Sequence, residues 1–576
     1  MRFSPAQLVR ALFFPARPGP CLRPLVPMGG FWVLVLLTLG ACGGAEGGSD
    51  GVPLVFDVPL SQEQAVEPSS GRSLEVQDPV LAQDANTVPA GTRLWDQLNG
   101  YDSQLQGEVE AAVYQGLKAA KTHGKLKSTD CRVAAVVLDL ARGKQLVALG
   151  SKRAQRPASN QKILTAIAAL TLLGGNGSFE TQVEALGTIE AGTLRGQLVL
   201  RAGGDPVYDR NHENAMPAWA MDVAQLLARA GIQRIEGDLV LDTGTYARPA
   251  PAPAWPSKGE HWQEYCALAG GFSANAGCLS AVLESTPGML RVRVLPPGHG
   301  LKEEISVRKG PAKKALDVRV GVQGSRVIVG GTIPAGIPNW SARFAHPDPV
   351  ALFGGALIFA LGLHGVEVTG AVRLQVNAPP GTPLGAVSRP VLGQLEAVLL
   401  DSNNSVADQL FLTLGARGGD GSRAGSLGAV QTALADLRLA AGSLMMVDGS
   451  GLSRENRVTP RLLAGAMAGL LEQDPAAFDL FLLALPLAGR SGGLANRMGK
   501  GAAFETVRAK TGFIGGTSGL SGVALEDGVP RLAFSILVEY PRKAGLNVRA
   551  WKPMQDRIVQ SLAAWIQTHP SPSTRR

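Results

Sequence analysis

The chain is poor in the residues that build metal sites. Its seven histidines (His123, His212, His261, His299, His346, His364 and His569) are scattered, with no His-x-x-x-His pair, and its five cysteines contain no Cys-x-x-Cys pair. Metal sites are usually built from such closely spaced ligands, so neither a metal nor another cofactor is expected. Charged residues make up only 18%, and no Lys/Arg run is interleaved with aromatics. The formal charge is +8, but Arg2, Arg10, Arg17 and Arg23 precede residue 42 and no acidic residue does. The remaining excess is too mild for a nucleic-acid partner. The apolar stretch 31–41 has 11 residues, too few to span a bilayer. What is present in quantity is apolar surface: 45% of 576 residues, enough for two or more domains with full cores.

The stretch 31–41 fits the core of an export signal. It ends in Leu39-Gly40-Ala41-Cys42, which resembles the signal of bacterial lipoproteins. That resemblance implies that residues 1–42 are a lipoprotein signal and that Cys42 carries lipid as the new N-terminus. Residues 43–93 are rich in Gly, Ser, Gln, Pro and Asp without a sustained period, and read as a flexible tether. The expectation is a periplasmic lipoprotein anchored to a membrane. An exported chain meets oxidising conditions. Cys266 and Cys278, twelve apart in one loop-rich stretch, are the expected disulfide, with Cys131 a buried free thiol.

Residues 94–174 read as the first part of a globular body. Arg132–Leu140 and Gln145–Leu149 flank a turn and form a hairpin. Pro157-Ala158-Ser159-Asn160-Gln161-Lys162 follows, then the apolar run Ile163–Leu170, a buried helix. From about 175 to 340 short strands alternate with turns, at 181–187, 196–200, 237–241, 290–295 and 327–331. One helix, Trp219–Ala230, interrupts them with a period near 3.6. This block reads as one or two inserted β-rich domains. The body resumes over 341–567, with helices at Asp348–Leu363 and Leu395–Gly415. A strand edge at Val507–Gly512 and a hairpin of Gly519–Glu526 and Arg531–Tyr540 follow. Arg549–Gln567 closes it as a helix with Pro553 in its first turn. Residues 568–576 read as a disordered tail. Sheet and helix segments around an insertion give an α+β class.

Chemistry concentrates in three short stretches. Residues three apart on a helix share a face, so Lys162 can reach the hydroxyl of Ser159. A serine is a weak nucleophile until a base takes its proton, and a lysine pressed against an apolar helix loses its own more readily. Ser402-x-Asn404 can relay a proton to a leaving amine, hold substrate backbone and fix Lys162. Lys510-Thr511-Gly512 offers a cation and a hydroxyl to a carboxylate, and a glycine that lets substrate approach the strand. Two other stretches imitate such sites. Ser306-Val307-Arg308-Lys309 repeats the first spacing in a polar, strand-like segment. Gly489-Arg490-Ser491-Gly492-Gly493 fits a nucleophile elbow, which needs a downstream histidine; only His569, in the tail, follows it.

Ser159-x-x-Lys162, Ser402-x-Asn404 and Lys510-Thr511-Gly512, in that order, form the signature of the penicillin-binding proteins and serine β-lactamases. Asp448-Gly449-Ser450-Gly451-Leu452-Ser453-Arg454, Leu485-Pro486-Leu487-Ala488-Gly489 and Gly203-Gly204-Asp205-Pro206 narrow it further. Over roughly 94–567 the chain resembles the class C, type-4 penicillin-binding proteins. The resemblance implies a transpeptidase-like domain, a mixed α/β sandwich around an antiparallel sheet, with extra domains between the first and second motifs. It implies a D-Ala-D-Ala carboxypeptidase or endopeptidase that cleaves peptidoglycan peptides through an acyl-enzyme and is acylated by β-lactams. It implies an oxyanion hole from the N–H groups of Ser159 and Phe513. It also implies an acidic residue of the insert that binds the peptide's free amino group. Asp205 is the candidate, alongside its reading as a turn aspartate before proline. Two other functions use the same motifs: a serine β-lactamase and a non-catalytic wall-binding lipoprotein. The large insert and the lack of a Glu-x-x-Leu-Asn motif weigh against the first, the three intact motifs against the second.

Overall fold

The structure, a computed structural model, describes Trp95, residues 98–286 and residues 288–571. The expected export signal, the expected lipidation site Cys42 and the whole expected tether, 43–93, lie outside the described residues. Runs of valine, alanine and leucine build a central five-stranded sheet. Its order is Val507–Ile514, Thr517–Glu526, Val529–Glu539, Arg132–Asp139 and Lys144–Leu149, with every neighbour antiparallel. Arg132–Asp139 pairs with Val529–Glu539 without a break, from Arg132 opposite Glu539 to Asp139 opposite Leu532. Successive side chains of a strand face opposite ways. Val136 and Leu138 therefore join one core, and Ala135 and Val137 another. The first core contains the helices Gln161–Leu173 and Pro460–Gln473; the second contains Ser103–Gly124 and Lys552–Thr568. Because both faces are covered, the middle strands are buried along most of their length rather than alternating, and Ser521 and Ser535, buried opposite each other, hydrogen-bond at 2.8 Å. This is the expected sandwich around an antiparallel sheet.

The insert is larger than 175–340. Ser178–Glu190 pairs with Thr193–Arg201 on one side and with Thr382–Pro390 on the other, inside a seven-stranded sheet. The helix Pro349–Leu363 packs in the insert's core, where Phe353 meets Trp219 edge-on at 5.1 Å. The chain re-enters the catalytic layers at Leu392–Leu399, whose Leu395 and Val398 join the first core. Strand pairing across such a separation leaves no local mark in the sequence, and it carries the insert past the expected residue 340 to Pro390. Two further sheets have three strands each. One holds Cys278–Thr286, Met289–Leu295 and Asn339–Ala345; the other holds Lys302–Gly310, Asp317–Gln323 and Arg326–Pro334.

Three local expectations change. Cys266 and Cys278 are separate thiols, and so is Cys131, which is half-buried rather than buried. Cys278 packs with Ala267 and Ala345, so the residue after Cys266, not Cys266 itself, meets it. Residues 568–571 pack on the body rather than forming part of a disordered tail. Thr568 ends a helix, His569 stacks on Trp565 at 4.5 Å, and Ser571 Oγ donates to Glu526 at 2.5 Å. The closing helix is preceded by a π-helical turn, Asn547–Trp551, and Pro553 does fall in the first turn of Lys552–Thr568.

Candidate active site

Ser159 lies in a short 3-10 turn, Ala158–Asn160, that opens the helix Gln161–Leu173. Ala158 has φ +46°, a left-handed conformation that costs an L residue about 1–2 kcal/mol. Packing enforces it. The loop Asp448–Arg454 lies against this turn, and a Cβ on Gly451 (φ +82°) would fall 1.9 Å from the Ala158 carbonyl oxygen. Glycine alone has room there. Lys162 is buried in the first turn of the helix. Its Nζ lies 3.1 Å from Ser159 Oγ, 2.7 Å from Asn404 Oδ1 and 2.8 Å from the Ser450 carbonyl oxygen. As an ammonium it donates to all three. As a neutral amine it keeps two N–H groups on the two carbonyl oxygens, which can only accept. The lone pair is then left facing the Ser159 hydroxyl.

Burial lowers the proton affinity of Lys162, against the pull of the Asp408 and Asp448 carboxylates. Burial raises that of Asp408, and the Asp448 carboxylate adds to the effect, while Arg423 and Lys162 oppose it. Asp408 Oδ1 accepts from the Ser450 N–H at 2.8 Å. The Ser450 peptide thus has its N–H on Asp408 and its carbonyl on Lys162. Asp408 Oδ2 is buried with no hydrogen-bond partner among the described residues. Asp448 accepts from the N–H groups of Gly451 and Ser453, from Asn456 Nδ2, and from Trp255 Nε1 of the insert at 2.8 Å. Lys510 is also buried, and burial, with the charge of Lys162 next, pushes its proton affinity well down.

The expected single helix Leu395–Gly415 is two, Leu392–Leu399 and Asn404–Arg417. The break lies between Leu399 and Asn404. Ser402 has φ +63°, and Asn403 caps the second helix by accepting from the Val406 N–H at 3.0 Å. Strain of this kind gathers at functional sites. Asn404 holds Lys162 with its oxygen and donates from Nδ2 to the Tyr265 carbonyl of the insert at 2.9 Å. The Ser402 hydroxyl has no partner among the described residues.

A pocket of about 740 Å³ opens at Ser159, Asn404 and Phe513. Phe513 belongs to the edge strand of the central sheet. Ala509 of that strand donates its N–H to Pro486 at 2.9 Å, away from the partner strand. Two-residue periodicity turns the N–H groups of Thr511 and Phe513 to the same open edge. The Ser159 N–H, in the first turn of its helix, has no intrahelical acceptor. Trp255, Glu260, Tyr265, Arg454 and Arg542 also stand on the wall. Sequence reasoning gave these five no role and passed over Asp408. A local signal existed for Asp408, because it lies four residues after Asn404 on one helix face. The insert residues carried no such signal.

Other expected site residues lie elsewhere. Thr511 and Gly512 border a smaller cavity of about 180 Å³, with Phe513 between the two. A Cβ on Gly512 would come 2.4 Å from Asn160 Nδ2 and 2.9 Å from the Pro157 carbonyl. The space left by this glycine is therefore filled by the nucleophile's own turn, not kept open for substrate. Lys510 Nζ donates to the Thr511 carbonyl at 3.1 Å. Asp205 is not brought to the Ser159 pocket. It is buried beside a separate cavity of about 330 Å³, and its oxygens accept from the Val207 N–H at 2.8 Å and Trp219 Nε1 at 3.0 Å. Ser306 and Lys309, three apart on a strand, face opposite ways. Ser491 Oγ accepts from the Leu487 N–H at 2.9 Å in a local turn.

Known proteins share this arrangement of chain. A family model described as the D-Ala-D-Ala carboxypeptidase 3 (S13) family matches residues 117–561. The chain is similar to a D-alanyl-D-alanine carboxypeptidase of Actinomadura sp., 31% identical over 463 residues, which covers 75% of this chain and 81% of the relative. It is 28% identical to the D-alanyl-D-alanine carboxypeptidase DacB of Haemophilus influenzae over 66% of this chain and 79% of that protein. Its fold is similar to the crystal structure of penicillin binding protein 4 from Haemophilus influenzae. The TM-score is 0.62 at 23% identity, over 78% of this chain and 99% of that one. The family match spans the insert as well as both halves of the Ser159 site, and on that extent the chain belongs to the D-Ala-D-Ala carboxypeptidase 3 (S13) family.

Proposed function

We propose that Ser159 cleaves the D-Ala-D-Ala end of peptidoglycan stem peptides, or the equivalent D-Ala bond of a cross-link, through an acyl-enzyme. The observation that carries this reading is the three-way setting of Lys162 between Ser159, Asn404 and Ser450. Neutral Lys162 takes the Ser159 proton as Oγ attacks the carbonyl carbon. The oxyanion is held by the N–H groups of Ser159 and Phe513. The C–N bond breaks, and the proton passes by way of Ser402 to the departing amine. Water then attacks the ester, Lys162 takes its proton, and Ser159 regains a hydrogen as the shortened peptide leaves.

Recognition is assigned to the pocket wall. Arg454 and Arg542, on that wall, draw the substrate carboxylate at the mouth, and the Lys510-Thr511-Gly512 strand adjoins the pocket through Phe513. The acidic group for a peptide amino group is Glu260 rather than Asp205. Glu260 lies on the wall, and the Tyr265 hydroxyl, 3.0 Å away, holds its carboxyl below the usual range, so it is anionic. A β-lactam, a strained amide beside a carboxylate, fits the same groups. A β-lactam complex has been solved for the Haemophilus influenzae protein of similar fold.

Such an enzyme works outside the cytoplasm. Among the described residues no helix is long and apolar enough to cross a membrane. The run 31–41 before Cys42 supports an N-terminal lipid anchor; unchanged fatty-acid labelling in Cys42→Ser would remove that part of the reading. The central test is mass analysis of a stem peptide after incubation with the purified protein. Release of one D-Ala, and its loss in Ser159→Ala, is expected. Cleavage that persists in Ser159→Ala would sink the mechanism, and rapid turnover of nitrocefin would favour a β-lactamase.

A further inference from the structure

The positive charge of this chain is unevenly placed. Residues 289–334 hold nine Lys/Arg against three acids, whereas the rest of the chain after residue 42 has slightly more acids than cations. Most of that stretch forms the sheet of Lys302–Gly310, Asp317–Gln323 and Arg326–Pro334, with the last strand in the middle. Period two divides it. Val327, Val329 and Ile333 face the insert's core, joined by Val318, Val320 and Val322. Register sets the opposite face. Arg326 lies beside Lys302 and Gln323, Gly330 beside Ser306 and Arg319, and Thr332 beside Arg308 and Asp317. Lys302, Arg308, Arg319 and Arg326 are exposed. Lys314 leans over the same face, since a Cβ on Gly310 would lie 3.4 Å from its Cδ. Arg319 and Arg326 have carboxylate partners in Asp317 and Glu304. Lys302, Arg308, Lys313 and Lys314 have none among the described residues.

This face adjoins the catalytic pocket. A Cβ on Gly321, which belongs to the outward face, would meet the Trp262 ring at 3.8 Å. Trp262 is 39% exposed, and its chain neighbours Glu260 and Tyr265 line the Ser159 pocket. Basic face, exposed aromatic and pocket thus follow one another along the surface.

We propose that the outward face of this sheet, bordered by Trp262, is an exosite for the peptidoglycan strand whose peptide occupies the Ser159 pocket. The identity of the polymer rests on the peptidase reading above. The strand repeats carboxylate-bearing peptides along a sugar chain. Repeated carboxylates match a row of unpaired cations, and a sugar ring packs its apolar face on an aromatic side chain. Ser306, Gly321 and Gly330 keep the sheet surface low between the cations. The exosite holds polymer; it takes no part in the chemistry of the scissile bond.

The test is co-sedimentation of the full chain carrying Ser159→Ala with peptidoglycan sacculi stripped of other wall polymers, at roughly 20 and 300 mM salt. Binding is expected to weaken at high salt. Adding Lys302→Gln, Arg308→Gln, Lys313→Gln and Lys314→Gln should reduce low-salt binding by on the order of tenfold and flatten the salt dependence. Trp262→Ala should reduce binding at both salt concentrations, and serves as a second probe if the fourfold variant folds poorly. With Ser159 restored, both variants should be acylated by penicillin within about twofold of the parent rate. The exosite is overturned if the fourfold variant and Trp262→Ala sediment like the parent. It is overturned equally if the parent binds only sacculi that retain phosphate polymers, or only vesicles of anionic lipid. Failure of the peptidase reading would show separately, as an intact stem peptide after incubation with the Ser159 protein.

Discussion

The Ser159 site keeps Lys162, Lys510, Asp408 and Asp448 out of water, whereas the Lys302–Pro334 sheet holds its cations on an exposed face. Both regions are rich in charge, and the surroundings give the charges opposite uses. In the site, burial disfavours the charged forms of Lys162, Lys510 and Asp408, so their proton affinities move, which suits Lys162 to the base proposed for it. On the sheet the cations stand in water, where their interactions are within reach of salt screening. The same residue type, lysine, is buried with a lowered proton affinity in one region and exposed to water in the other.

The largest effects test the buried half of this comparison. Ser159→Ala should abolish labelling by fluorescent penicillin outright. Lys162→Ala should slow acylation by on the order of 10²–10⁴-fold, the range of a lost general base. Lys162→Arg should be as damaging, because arginine keeps the charge but does not release its proton; a rate near that of the parent would mean that charge, not basicity, is what the site uses. Label found on Ser306, Ser402 or Ser491 by peptide mass would contradict the assignment.

Gly451→Ala should come next. Its Cβ would collide with the Ala158 carbonyl at a positive φ, at a cost on the order of 2–3 kcal/mol. Both the melting temperature and the acylation rate should fall, and an unchanged rate would show that the left-handed turn before Ser159 is dispensable.

Asp408→Asn probes the proton affinity itself. Acylation should rise with pH as Lys162 loses its proton. The Asp408 carboxylate favours the ammonium, so its removal should move that rise to lower pH, by roughly one unit. The Asn oxygen can still accept from the Ser450 N–H, which separates charge from geometry. A pH profile that stays in place would mean that Asp408 does not tune Lys162.

The smallest effect belongs to the exposed half. Neutralising Lys302, Arg308, Lys313 and Lys314 should change stability by no more than about 0.5 kcal/mol per residue, the usual range for surface positions, with thermal melting as the measurement. A large loss would show that these cations support the fold rather than a partner.

Much of the site was legible because it rests on local geometry. Ser159 and Lys162 meet through helical spacing, and Asn404 lies close to a cap residue, Asn403, in a recognisable stretch. The break at Ser402 was legible only in part: Asp401-Ser402-Asn403-Asn404 carries the polar residues of a helix cap, but the apolar runs on either side read as one helix. Asp205 was misplaced for a related reason. Its turn motif is visible in the chain, but the Trp219 indole that occupies it comes from a helix packed in the insert's core. The expected disulfide rested on sequence distance, which says nothing about the direction in which two side chains point.

By itself the sequence determined which residues could do the chemistry: a serine and lysine one helical turn apart, an Asn at a helix start and a Lys-Thr-Gly strand. It also marked the apolar run Arg132–Leu140 as a strand of the body. Only the tertiary structure decided how the chemistry is set. It buried Lys162 beside two carboxylates, brought Trp255, Glu260 and Tyr265 of the insert to the pocket, and closed a sheet across the insertion with Thr382–Pro390. Helical spacing and hydrophobic period are properties of neighbouring residues. Burial, proton affinity and strand partnership depend on what distant segments place alongside, and nothing in the local chain carries that information.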